Sequence, residues 1–302
     1  MKNKGIYFAY AAALISGVSV FLNKFAVGIW DNSSVFTTAK NLVVVFLLTS
    51  LLLSLKKIGE LKKLSKKQWL QMVLIGFIGG SIPFLLFFKG LSSASATNAA
   101  FIHKTLFVWV AVLALPFLKE KISFLQLIAL GALFGGVYLF SSPSDFKIGH
   151  GEFLIFAATL MWAVENIIAK KVLKNISSLA VGWGRMFFGS AFLLMFLMFT
   201  GNISGLFYGV SGKGFGWLIF CCFLLFAYVI TWYSALKRLP AMVVSSILVL
   251  AAPITSLLNS VFVAHQIKTD LIFPIFLILF GVLLIGNLHE RFAAFHQVRS
   301  SS

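Results

Sequence analysis

The sequence predicts an all-α integral membrane protein of ten transmembrane helices, arranged as two inverted five-helix repeats. Three observations predict it. Hydrophobic residues make up 60% of the 302-residue chain and charged residues 11%, with a mean hydropathy of +1.00, too few charges to cover a water-soluble surface. Ten segments stay mostly apolar for about 20 residues, the length that crosses a bilayer as a helix. Sliding the second half back over the first by about 145 to 148 positions superposes like features: Trp69 on Trp217, Lys24 on Lys170, Lys40 on Arg185 and Gly136 on Gly281.

The first half holds segments 6–28, 35–55, 69–88, 98–118 and 124–140, and the second 152–172, 178–200, 216–236, 241–264 and 271–288. The chain thus divides into a first repeat over 1–140, a polar linker over 141–151, a second repeat over 152–288 and a tail over 289–302. Five crossings are an odd number, so the second copy enters from the opposite side and the copies are inverted. The opening Met1-Lys2-Asn3-Lys4 before apolar sequence looks like a secretory leader, but its counterpart in the second half leads to the expectation of a retained helix. Gly76, Gly79 and Gly80 in the third segment, and Gly131 with Gly135 in the fifth, are expected to let helices approach closely. Pro83 and Pro253 each remove a backbone hydrogen bond and are expected to kink the third and ninth segments, freeing carbonyls that need partners. Trp30, Trp69, Trp217 and Tyr208, near segment ends, fit interfacial belts. Cys221 and Cys222 are neighbours in an apolar run, poorly placed to pair with each other, and read as packing residues.

A net charge of +17 would suggest a nucleic-acid partner in a soluble chain; here the charges sit in loops, so none is expected. Lys and Arg accumulate on the cytoplasmic side of a membrane protein. With the N-terminus inside, the inner loops hold the six lysines from Lys56 to Lys67, then Lys119, Lys121, Lys170, Lys171, Lys174, Lys237 and Arg238, while the outer loops hold Lys89, Lys147, Lys213 and Lys268. The expectation is a multi-pass protein of the cytoplasmic membrane with both termini cytoplasmic. The run 56–68 reads as a topology determinant, although each Lys near anionic lipid is worth about 1 kcal/mol.

An ionisable side chain at the centre of a spanning helix costs roughly 2.5 to 3.5 kcal/mol on insertion scales, so each one calls for a reason. Lys24 and Lys40 lie about a turn from the ends of their segments, within snorkelling reach. Lys104 sits deeper, beside His103 and with Ala100 and Ala111 on its face, a pattern that suits a cavity lining. In the second half Ala158, Trp162, Glu165 and Ala169 share a face, with Asn166 beside Glu165 and Arg185 about two turns into the seventh segment. Glu165 either pairs with Arg185 or Lys170, or serves a substrate ammonium or a proton. Inversion places Lys40 with Arg185, and Lys24 with Lys170, at mirrored depths, giving two basic rings for an anionic solute to meet in turn.

Leu118 to Ser123 (LKEKIS) ahead of a glycine-bearing helix, the opening Gly151-Glu152-Phe153-Leu154 with Ala157 to Ala163 behind it, and the Pro253 helix are similar to the drug/metabolite transporter superfamily, in its ten-helix EamA-type branch. The resemblance covers nearly the whole chain. It implies a secondary carrier of a small organic solute, often an amino acid or related metabolite, with a central cavity lined mainly by helices other than the fifth and tenth. Two departures stand out: His265-Gln266 replaces the acidic turn residue in the second repeat, and Val108 stands where the ninth segment has Pro253.

P-loop, paired-histidine zinc and Gly-x-Ser-x-Gly motifs are absent, and His150, His265, His289 and His296 lack metal-ligand spacing. The chain is therefore expected to be no enzyme, to need no cofactor or metal, and to draw on a gradient, with the proton as a candidate coupling ion. The expected function is alternating-access transport of a small polar metabolite, an amino acid or related carboxylate first. Its substrate-binding residues would be His103, Lys104, Trp162, Glu165, Asn166 and Arg185, with Lys24, Lys40 and Lys170 in second place. The rivals are a phosphorylated or nucleotide-like solute, a lipid head group, or a non-transporting scaffold subunit.

Overall fold

The computed structural model describes residues 3–27, 30, 32–143, 149–207, 212–266 and 269–300. Lys2, Lys147, Tyr208, Lys268 and the middle of the 141–151 linker lie outside them. Among the described residues ten helices are long and apolar enough to cross a membrane. They are α1 Asn3–Val27, α2 Ser33–Ser54, α3 Lys66–Leu91, α4 Ala96–Leu118, α5 Phe124–Ser141, α6 His150–Val172, α7 Ser178–Phe199, α8 Gly212–Arg238, α9 Ala241–Ala264 and α10 Ile272–Ser300. Each expected segment falls on one of them. A short helix, Ile58–Lys62, links α2 to α3. Phe46, Leu70, Phe124 and Phe276, on four different helices, project outward, as lipid-facing side chains do.

Most of the packing repeats between the halves, although α7 packs on α8 far more extensively than α2 does on α3. Helix α1 packs on α8 as α6 packs on α3, α1 on α9 as α6 on α4, and α2 on α8 as α7 on α3; α2–α7, α4–α9 and α5–α10 each join one half to the other. Helix ends repeat as well. Lys56 and Gly201, after α2 and α7, are both left-handed at φ 55° and 70°, and so are Lys119 and His265, at the ends of α4 and α9, at φ 56° and 51°. A left-handed residue at that place turns the chain so that the last carbonyls find donors.

Close helix contacts follow glycine only in part. A Cβ on Gly80 would lie 2.8 Å from the Arg185 carbonyl oxygen and 3.0 Å from the Gly189 Cα, so α3 and α7 touch backbone to backbone. Gly131 and Gly135 do not do this: a Cβ on either would meet no other helix within 4 Å. In the α5–α10 pair the tight contacts belong to the repeat-related Gly136, against Ile278, and Gly281, against Leu133.

Three helices break where the site forms. Helix α3 breaks at Ser81 (φ −137°, ψ −77°), with Pro83 in the first turn of its second half, Ile82–Leu91. The Ser81 hydroxyl donates to the Phe77 carbonyl at 2.9 Å. Helix α9 tightens at Val249–Leu250, four and three residues ahead of Pro253, with the Val249 amide donating to Ser246 and that of Leu250 to Ile247. Helix α4 breaks at the matching place without a proline: Thr105 separates Ala96–Lys104 from Leu106–Leu118, and its hydroxyl donates to the Ile102 carbonyl at 2.6 Å.

Candidate functional site

A cavity of about 690 Å³ lies among α1, α3, α4, α5, α9 and Leu271 just ahead of α10, and it centres on the breaks in α4 and α9. Its wall includes Ser16, Val20 and Lys24 from α1, Phe87 from α3, Ala100, His103, Lys104 and Phe107 from α4, and Phe140 from α5. Helix α9 contributes Ser245, Val249, Thr255, Ser256 and Asn259. Lys24 and Ala264 are exposed where the cavity reaches the end of the bundle, the end opposite the lysine-rich connections.

Among the described residues, all of the charged or protonatable groups of this wall are basic: Lys24, His103 and Lys104. His103 and Lys104 are each held locally. The break at Thr105 ends the first half of α4 beside Lys104, and the Lys104 ammonium lies over the Phe140 ring, 4.4 Å from its centroid. A cation over an aromatic face is held without hydrogen bonds, so its N–H groups stay available to a solute. The His103 ring packs against Phe87 and Trp162, with centroids 5.0 and 4.9 Å apart, and its buried Nδ1 has no partner. Thr255 and the small residues around Gly17 bring α9 onto α1, the threonine hydroxyl donating to the Gly17 carbonyl at 2.8 Å.

Trp162 stands behind His103 and Phe87, and Phe84 completes the aromatic group at 5.3 Å from it. Beyond Trp162, along α6 toward the lysine-rich end, lies a second polar set. The indole of Trp162 and the Arg185 guanidinium both donate to the Gly79 carbonyl, at 3.1 and 2.9 Å. Glu165 is buried and accepts a hydrogen bond of 2.6 Å from the Tyr233 hydroxyl. Gly79 leaves room for all of this, since a Cβ there would sit 3.3 Å from Arg185 Nε and closer still to the Glu165 side chain. Asn166 donates to the Trp162 carbonyl at 2.9 Å, while its buried Oδ1 is unpartnered.

The structure therefore divides the expected site residues. His103, Lys104 and Lys24 line the cavity. Trp162 forms its backing, and Glu165, Asn166 and Arg185 make a separate group behind it. Lys40 is tied to Asn23 Oδ1 at 3.1 Å and lies over Phe36. The Lys170 ammonium donates to the Leu236 and Leu239 carbonyls at the end of α8, both at 2.6 Å. Neither Lys170 nor Arg185 provides the short bond that Glu165 receives. Cys221 and Cys222 are buried and free. Sequence reasoning missed Tyr233, Asn259 and the Thr105 break. It also left Glu120 without a partner: that carboxylate accepts from the Ala241 and Met242 amides at 2.7 and 3.3 Å, capping α9.

Comparison with known proteins agrees with this architecture. The uncharacterized transporter YyaM of Bacillus subtilis (strain 168) is 24% identical over 294 residues, 94% of each chain. An uncharacterized transporter of Clostridium kluyveri is 22% identical over 277 residues, covering 86% of this chain and 87% of that one. A solved crystal structure superposes with a TM-score of 0.77 over 97% of this chain and 99% of its own, at 14% identity, which shows a shared fold. The pattern of the EamA-like transporter family matches twice, over residues 3–142 and again over 149–287. With both halves matched, the ten-helix chain belongs to the EamA-like transporter family, within the drug/metabolite transporter superfamily, and is a membrane transporter.

Proposed function

We propose that this transporter moves a small carboxylate-bearing metabolite by alternating access, in the cytoplasmic membrane with both termini cytoplasmic. The repeats would be residues 1–140 and 152–288. One observation carries the reading: a 690 Å³ cavity whose charged or protonatable wall, among the described residues, is Lys24, His103 and Lys104, with no Asp or Glu. That volume suits a small metabolite, and the unbonded donors suit an anionic group. An amino acid qualifies through its carboxylate; its ammonium would meet the hydroxyls of Ser256 and Thr255 and the amide of Asn259, since Glu165 lies behind Trp162. Glu165 is better suited to a proton, being buried and held by Tyr233.

The same three bases would serve a phosphorylated solute, which is the second reading. A thermal-shift panel on the purified protein separates the two, because a ligand that binds the native state raises its apparent stability. Carboxylates, amino acids among them, are expected to raise Tm, and Lys104→Ala is expected to abolish the shift. Stabilisation by phosphate monoesters alone supports the second reading, and stabilisation by amines alone defeats both.

A further inference from the structure

The cavity wall on α1 includes a row, Ser16, Val20 and Lys24, spaced one turn apart. An offset of 146 residues carries these three onto Trp162, Asn166 and Lys170 of α6. The structure supports this register independently of sequence likeness. Gly5 and Gly151 share the offset, and each seats the start of its helix under the end of another: Gly5 against Leu239 after α8, Gly151 against Ala94 after α3. Lys119 and His265, both left-handed, share it too.

The two rows make opposite contacts. Lys24 is exposed at the mouth of an open cavity. Lys170 is partly buried and bonded to the last carbonyls of α8. Asn166 keeps a buried, unpartnered oxygen in a closed interface. Glu120 closes the same end by capping α9; in the other repeat its counterpart is Gln266, after His265.

We infer that α6 lines a second vestibule, shut in this conformation, whose wall is Trp162, Asn166 and Lys170, and that Lys170 on the α8 carbonyls is its latch. When this vestibule opens, Lys170 leaves Leu236 and Leu239, and the Asn166 oxygen meets water or solute. Lys24 then takes the matching place on the carbonyl end of α3. His103, Lys104, Ser245 and Val249 sit at the α4 and α9 breaks, which the repeat exchanges with one another. They face both vestibules in turn, so the solute stays put while the bundle closes first on one side of it and then on the other. This rests on the alternating-access reading but on no particular solute.

The test is sided thiol labelling in vesicles of defined orientation, with a membrane-impermeant maleimide and the wild type, whose Cys221 and Cys222 are buried, as background. Ser16→Cys is expected to label from one face only and Asn166→Cys from the other face only. Adding Lys170→Met should speed Asn166→Cys labelling several-fold and slow that of Ser16→Cys. Labelling of both positions from one face overturns the inference, as does an Asn166→Cys protein that stays unlabelled with and without Lys170→Met. Should Asn166→Cys not fold, Ser16→Cys decides alone: a rate unchanged by Lys170→Met overturns the latch. A chain that labels as expected yet binds no carboxylate defeats the substrate reading only.

Discussion

Pro83 has no amide hydrogen to give the carbonyl of Gly79, four residues back, and that oxygen is shared instead by Arg185 and Trp162. A helix break thus creates the acceptor on which α6 and α7 anchor to α3. Arg185→Ala should destabilise the purified protein by roughly 1.5 to 3 kcal/mol, the range for a charged hydrogen bond. In a Pro83→Ala background, where the restored amide can serve Gly79, the same change should cost about 1 kcal/mol less. Equilibrium unfolding of the four proteins in the cycle checks this, and strict additivity would contradict it.

The bond from Tyr233 to Glu165 joins α8 to α6 at 2.6 Å. Tyr233→Phe leaves a buried carboxylate short of its donor and should cost roughly 1.5 to 3 kcal/mol. Glu165→Gln should cost less, because an amide oxygen still accepts from the phenol. Thermal unfolding of both variants gives the ranking.

Glycine substitutions separate contact from composition. Gly80→Ala and Gly189→Ala drive a methyl into the opposing backbone and should lower Tm by several degrees. Gly131→Ala and Gly135→Ala meet open space and should be neutral or stabilising by up to about 1 kcal/mol through helix propensity. Melting curves of the four variants decide.

Lys40 and Lys104 both lie in spanning helices and differ in what surrounds them. Lys40→Ala removes a bond to Asn23 and should cost about 1 kcal/mol of stability while sparing carboxylate binding. Lys104→Ala should remove that binding with little loss of stability. Titration calorimetry with a carboxylate that passes the thermal-shift panel, run beside melting curves, separates the two.

Much of the architecture was legible because it follows from one-dimensional signals. The apolar segments placed all ten spans, and pairs such as Gly136 and Gly281 marked the repeat that the packing follows. Pro83 and Pro253 announced their breaks, since a missing amide is written in the sequence. Thr105 did not: its hydroxyl pulls back on the Ile102 carbonyl, and threonines do this in unbroken helices as well. Depth along a helix told which charges lie inside the membrane, but not what stands between them. That is why Glu165 and Lys104 read as one site, although Trp162 and His103 separate them. The partners of Lys170 were hidden for the same reason, being main-chain oxygens of Leu236 and Leu239 that no residue pattern reveals.

Solute flux in proteoliposomes containing only this chain tests the central claim most directly. The account predicts that the wild type carries a small labelled carboxylate down its gradient, and that Lys104→Ala, reconstituted to the same density, carries it at least ten-fold more slowly. Absence of flux for every carboxylate in the wild type, or equal flux in wild type and variant, would contradict it.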